Sequence, residues 1–116
     1  MNWEGAGNWL ERLGSEGDAL VESTLRSVVD ASPDDPLADA SCIDAIAAAE
    51  AVASCAGAAA EDVPEPLRAY VERCGVPDEE RIGLAFGAIE RIRLQRDDHD
   101  EWLLDLEERL GVLLSS

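Results

Sequence analysis

A chain of 116 residues, 47% of them hydrophobic, is long enough for one domain that buries roughly two-thirds of the surface its unfolded form exposes, which excludes a disordered tail. Its 26 acidic residues against 9 basic ones leave a formal charge of −17, so the surface repels DNA, RNA and anionic lipid and excludes direct nucleic-acid binding. The same field attracts a basic protein or a cation, although solvation alone is the commoner use of such charge.

In chain order, residues 1–17 carry Gly5, Gly7, Gly14 and Gly17, too many for a long stable helix, and read as an irregular arm pinned by Trp3 and Trp9. The first helix is expected from Asp18 to about Val29, with Val21, Leu25 and Val28 at helical spacing and Asp18 as its cap. Asp30 to Pro36 reads as a loop. A second helix starts with Asp35 as cap and Pro36 in the first turn, and runs to Ala56 before Gly57 stops it. Ile43, Ile46, Ala47, Glu50 and Ala53 share one face of it, and alanines at 48, 49 and 51 keep the cylinder thin enough for close packing.

After a turn through Pro66, a short helix from Leu67 to Cys74 presents Leu67, Tyr70, Val71 and Cys74 inward and ends at Gly75. Pro77 and Asp78 open the next, whose stripe is Ile82, Ala85, Phe86, Ile89 and Ile92, with Gly83 and Gly87 thinning one side. Asp98 followed by Glu101 makes a capping-box-like start to a last helix carrying Trp102, Leu103, Leu106, Leu110 and Leu113 down one face. No strand pattern of comparable quality occurs, so the expected fold is all-α: a single helical domain over 1–116, an irregular bundle of about five helices with the N-terminal arm packed on it.

Cys42, Cys55 and Cys74 are odd in number and widely spaced, which suggests neither a disulfide framework nor a zinc site and fits a reducing cytoplasm. The N-terminus lacks a basic region followed by an apolar one, and the longest apolar stretch, Ala45 to Ala60, is interrupted by Glu50 and Ser54; no membrane segment is expected. Every basic residue is arginine, which with so much alanine suggests a GC-rich genome or a salt-adapted host.

Three stretches together resemble a bacterial group of helical domains, domain-of-unknown-function family 4259. Ala45 to Ala53 is similar to that family's alanine-rich helix with one embedded glutamate, here Glu50. Trp102, Leu106, Arg109 and Leu110 are similar to its C-terminal tryptophan and arginine-leucine ending, and Trp3, Gly5, Gly7 and Trp9, with Asp18-Ala19 after them, resemble its opening. The chain departs from the pattern at Glu4, in a longer gap from Trp9 to Asp18, and in a shortened segment before Trp102. The resemblance implies an all-α fold and a bacterial source, and carries no substrate, cofactor or catalytic residue across.

Glu50 is the most informative single residue, because Ile43, Ile46, Ala47 and Ala53 carry its carboxylate into an apolar face. Its structural reading is a carboxylate that accepts hydrogen bonds from an arginine, from a tryptophan indole, or from amides of the arm at Gly5 to Gly7, thereby tying the N-terminus to the core. Its functional reading is a general base or ligand-binding carboxylate with a raised pKa.

The Asp97 to Glu101 cluster has the atoms for a divalent cation, but consecutive residues entering a helix diverge, and helix capping explains them better. His99 is the only histidine, so no histidine-based triad assembles within one chain. Cys74 lacks a base beside it, and Gly5-Ala6-Gly7 follows no strand and is not a phosphate loop. No catalytic residue, metal or cofactor is therefore assigned; the residues singled out are Glu50 with Trp3, Gly5, Gly7, Trp9 and Trp102. The expected function is a non-enzymatic cytoplasmic protein, monomeric or a small homo-oligomer, that binds a basic protein as an inhibitor or immunity-like factor. The alternative is a small-molecule-binding protein or small enzyme built on a buried Glu50.

Overall fold

The computed structural model describes residues 7–31, 39–57, 65–73, 75–96 and 101–115, and these form an all-α bundle. Six helices follow one another among them: α1 Gly7–Glu16, α2 Asp18–Val29, α3 Asp39–Cys55, α4 Glu65–Arg73, α5 Glu79–Arg96 and α6 Glu101–Ser115. None of them is long and apolar enough to cross a membrane.

The additional helix is α1, where an irregular arm was expected. Trp9, Leu10 and Leu13 are buried along one face of it. Burying each of these contributes about 1.5–3 kcal/mol, which outweighs the roughly 1 kcal/mol that a helical Gly14 costs relative to alanine. The Trp9 indole N–H donates to Thr24 Oγ1 at 2.8 Å and fixes α1 against α2. Trp3 and Gly5 lie outside the described residues, and Gly7 is the first residue of α1.

Gly17 joins α1 to α2. Its amide donates to the Leu13 carbonyl, and its own carbonyl accepts from the amides of Leu20 and Val21, so one residue closes the first helix and opens the second. The turn needs φ 57° and ψ −130° at this position, a conformation open to glycine and strained for any other residue. Asp18, expected as the cap of α2, makes no capping bond; it is the first helical residue, and its carboxylate turns outward to other helices.

The centre of the bundle is α3, which packs against α2, α4, α5 and α6. Every residue from Ala45 to Ser54 is buried, so this helix has no solvent-facing side along that stretch. Its alanines cause this: a methyl side chain lets neighbouring helices approach from all directions, and a helix apolar all round belongs inside. Ile82, Ala85, Ala88, Ile89 and Ile92 of α5 and Leu106 and Leu110 of α6 complete the core beside it. Asp78 caps α5 as its position predicts, with Oδ1 accepting from the Arg81 amide at 2.9 Å. Gly83 and Gly87 do not serve a backbone approach. A Cβ at Gly83 would meet nothing within 4 Å, and one at Gly87 would make ordinary contact with Val29.

Cys42 is buried in α3, and Cys55, its last residue, is disulfide-bonded, contrary to the sequence-based expectation of no disulfide. An odd, widely spaced set of cysteines says nothing about which of them the helix packing brings together.

Candidate functional site

Glu50 is fully buried in α3 and binds α6. Arg109 Nη1 donates to one carboxylate oxygen and Nη2 to the other, each at 2.9 Å, in a two-bond fork. Arg109 Nε donates in turn to Asp105 Oδ2 at 2.9 Å, one helical turn earlier. Burial pulls the Arg109 pKa down, but the hydrogen bonds and charge of Glu50, with those of Asp105, outweigh it, and the net shift is upward. This guanidinium is a permanent cation.

Of the partners expected for Glu50, the arginine is the one found. The Trp9 indole is committed to Thr24 and does not reach Glu50, so that part of the proposed tie is corrected. The amides of Gly5 and Ala6 lie outside the described residues, as does Trp3; Trp102 belongs to the first turn of α6, where only the backbone is described. Arg109 enters the sequence reading only through the arginine-leucine ending of the family resemblance and not as a partner of Glu50, because spacing does not bring the two together until α6 is laid across α3. Of the Asp97 to Glu101 cluster, only Glu101, the first residue of α6, falls within the described helices. Cys74 lies outside the described residues.

A second polar junction forms where α2, α4 and α5 meet. The buried Tyr70 hydroxyl donates a short hydrogen bond to Asp18 Oδ1, and Arg81 Nη1 lies 3.4 Å from the same oxygen. Burial first, then the hydrogen bond and charge of Asp18, push the Tyr70 pKa up, so the hydroxyl keeps its proton and acts as a fixed donor.

The third feature is a cleft of about 250 Å³ between α1, α2 and α3, lined by Trp9, Arg12, Ser23, Thr24, Ser27 and Asp44. Ser23, Thr24 and Ser27 share one face of α2 by helical spacing. Ser23 donates its hydroxyl proton to the Leu20 carbonyl and Ser27 donates its own to the Thr24 carbonyl, which leaves their oxygens as acceptors. Arg12 Nε is held by Glu16 Oε2 at 2.7 Å. Asp44 is half-buried, and among the described residues its carboxylate has no hydrogen-bond or ion-pair partner. Loss of solvent raises its pKa, and the charge of Arg12 offsets this only in part. A small cleft on the other side of Gly17, about 230 Å³ between the α1–α2 turn and α4, is lined by Asp18, Tyr70 and Arg73 among others. Glu50 lines neither of these clefts.

A family model described as a domain of unknown function (DUF4259) matches residues 4–108. The chain belongs to this family. The DUF4259 match spans α1 through most of α6 and includes Glu50, while Arg109 lies one residue beyond its end. No curated protein and no solved structure matches the chain.

Proposed function

We propose that this DUF4259 member is a non-enzymatic binding protein of a bacterial cell whose partner is a basic protein, an inhibitor or immunity-like factor being its specific form. The observation that carries this reading is the state of Glu50. Both its oxygens are taken by Arg109, in a position with no exposure to solvent, so the carboxylate that a small enzyme would have used is spent on joining α3 to α6. The chemistry left to the surface is acidic: Glu11, Asp30, Glu65, Glu72, Glu79, Glu80 and Glu108 are all exposed, on four of the six helices and at the end of a fifth. Such a field speeds encounter with a basic partner and makes the association sensitive to salt. The Cys55 disulfide weighs against the reducing cytoplasm that cysteine spacing suggested, and the binding reading holds in either compartment.

Affinity capture from source-cell extract at low salt, followed by reconstitution with the purified partner, tests this. The expected result is a basic protein whose affinity falls steeply as salt rises. Recovery of no specific partner at low salt, or of one whose affinity ignores salt, overturns the reading.

A further inference from the structure

The cleft between α1, α2 and α3 has a chemistry more specific than the acidic surface around it. Among the described residues its lining carries two charges, the Asp44 carboxylate, which has no hydrogen-bond or ion-pair partner, and the Arg12 guanidinium, which is paired with Glu16 by two contacts and offsets the charge of Asp44 only in part. The serine oxygens beside it are acceptors, their protons being spent on carbonyls of their own helix. Thr24 Oγ1 already accepts from Trp9, which is buried and lines the cleft. A half-buried carboxylate with no hydrogen-bond or ion-pair partner among the described residues costs stability.

An acceptor-rich cleft whose carboxylate has no hydrogen-bond or ion-pair partner among the described residues calls for a ligand that brings positive charge and several donors. A guanidinium fits best. Its planar fork can give two N–H bonds to a carboxylate and still offer donors to hydroxyl oxygens to either side, and a net charge of −17 draws it in. An anion would meet that same field as repulsion, and Arg12 is already occupied.

We propose that this cleft seats the guanidinium of an arginine side chain presented by the basic partner, with Asp44 as its carboxylate anchor and Ser23 and Ser27 as flanking acceptors. The partner's identity as a protein rests on the function proposed above; the cleft's preference for a guanidinium does not.

The test is an amide and indole NMR titration of the intact protein with arginine capped at both ends, and with capped citrulline, which has the same shape and no charge. Binding of a single side chain is expected in the millimolar range. Capped arginine should shift the Trp9 indole and the amides of Ser23, Ser27 and Asp44, and capped citrulline should bind roughly threefold or more weakly. Asp44→Asn should lose affinity to a similar degree, and Ser23→Lys, which places a resident ammonium in the cleft, should abolish the shifts while keeping the spectrum of a folded protein.

Equal binding of arginine and citrulline overturns the proposal, as do unchanged affinity in Asp44→Asn and shifts confined to other acidic surfaces. Binding of free arginine but not of the capped form also overturns it, since the site would then recognise an amino acid and not a protein side chain. A basic partner that binds Asp44→Asn as tightly as the parent removes the cleft from the interface and leaves the binding function standing. Capped arginine seated in the cleft with no basic partner recovered does the reverse.

Discussion

Glu50 is fully buried and Arg109 partly so, and the Glu50 charge does not tolerate being alone there. Removing one partner of such a pair strands the other, so Glu50→Gln and Arg109→Met should each destabilise the fold by about 3–5 kcal/mol. The double variant Glu50→Leu/Arg109→Met should lose far less than the sum, because it removes both charges and leaves apolar side chains of similar size. Chemical denaturation with a constant dependence on denaturant is the measurement, and additive losses would show that the pair does not act as a unit. Asp44 is the opposite case. Its folded-state pKa lies above its ordinary value of 3.8, so the charged form is penalised in the fold at neutral pH and the penalty fades as the carboxyl protonates in acid. Asp44→Asn is therefore expected to stabilise at pH 7, by less than about 0.5 kcal/mol after allowance for solvent screening, and to be neutral below pH ~4. A carboxylate that the fold would be better without is what a binding site leaves behind. A clear loss of stability in Asp44→Asn would instead give this residue a structural role.

Helices α2 to α6 were legible in the sequence from their runs of apolar and alanine residues; Asp78 caps α5 as its place before the stripe suggests, Asp18 does not cap α2, and the starts read at Asp35–Pro36 and Asp98 lie outside the described residues. The α1 helix was not legible, because glycine counts against a helix locally and only the tertiary burial of Trp9, Leu10 and Leu13 reverses the balance. The burial of Glu50 could be read from Ile46, Ala47 and Ala53 around it, but its partner could not, since Arg109 is brought to it by the crossing of two helices far apart in sequence. The Asp44 cleft gave no signal at all. It is assembled from three helices, and one of them was not expected. Two glycines separate these influences experimentally. Gly83 sits inside α5 with open space at its Cβ position, so Gly83→Ala should stabilise by about 0.5–1 kcal/mol. Gly17, equally uncrowded, holds a positive φ of 57°, and Gly17→Ala should destabilise by about 1–3 kcal/mol. Thermal melts of the two variants should move in opposite directions; movement in the same direction would refute the assignment of Gly17 to a backbone role.

For the whole molecule, a charge of −17 on 116 residues makes repulsion the dominant electrostatic term of the surface. Its exposed ion pairs, such as Arg12 with Glu16 and Arg26 with Glu22, contribute little individually, and salt weakens them. Screening repulsion among so many carboxylates should win, so raising sodium chloride from ~10 mM to ~500 mM, which shortens the screening length from about 30 Å to a few ångströms, is expected to raise the melting temperature. A fall would mean that the local pairs outweigh the overall field. Salt would then act on this protein twice in opposite senses, firming the fold while loosening its hold on a basic partner.

The enclosure of α3 sets the order in which the molecule comes apart. From Ala45 to Ser54 every side chain is covered, by α2, α4, α5 and α6 in turn, and the helix cannot fray sideways without dismantling the neighbours that cover it. Deuterium should enter its central amides only through global opening, with protection equal to the full unfolding free energy, while α1, which packs mainly on α2 and α4 among the described residues, exchanges through smaller excursions. Of the lining of the Asp44 cleft, Trp9 and Arg12 belong to α1, and Asp44 stands on α3 one residue before its fully covered stretch. Breathing of α1 is expected to move the Trp9 and Arg12 side of the cleft relative to Asp44, and the exchange of the α1 amides measures it.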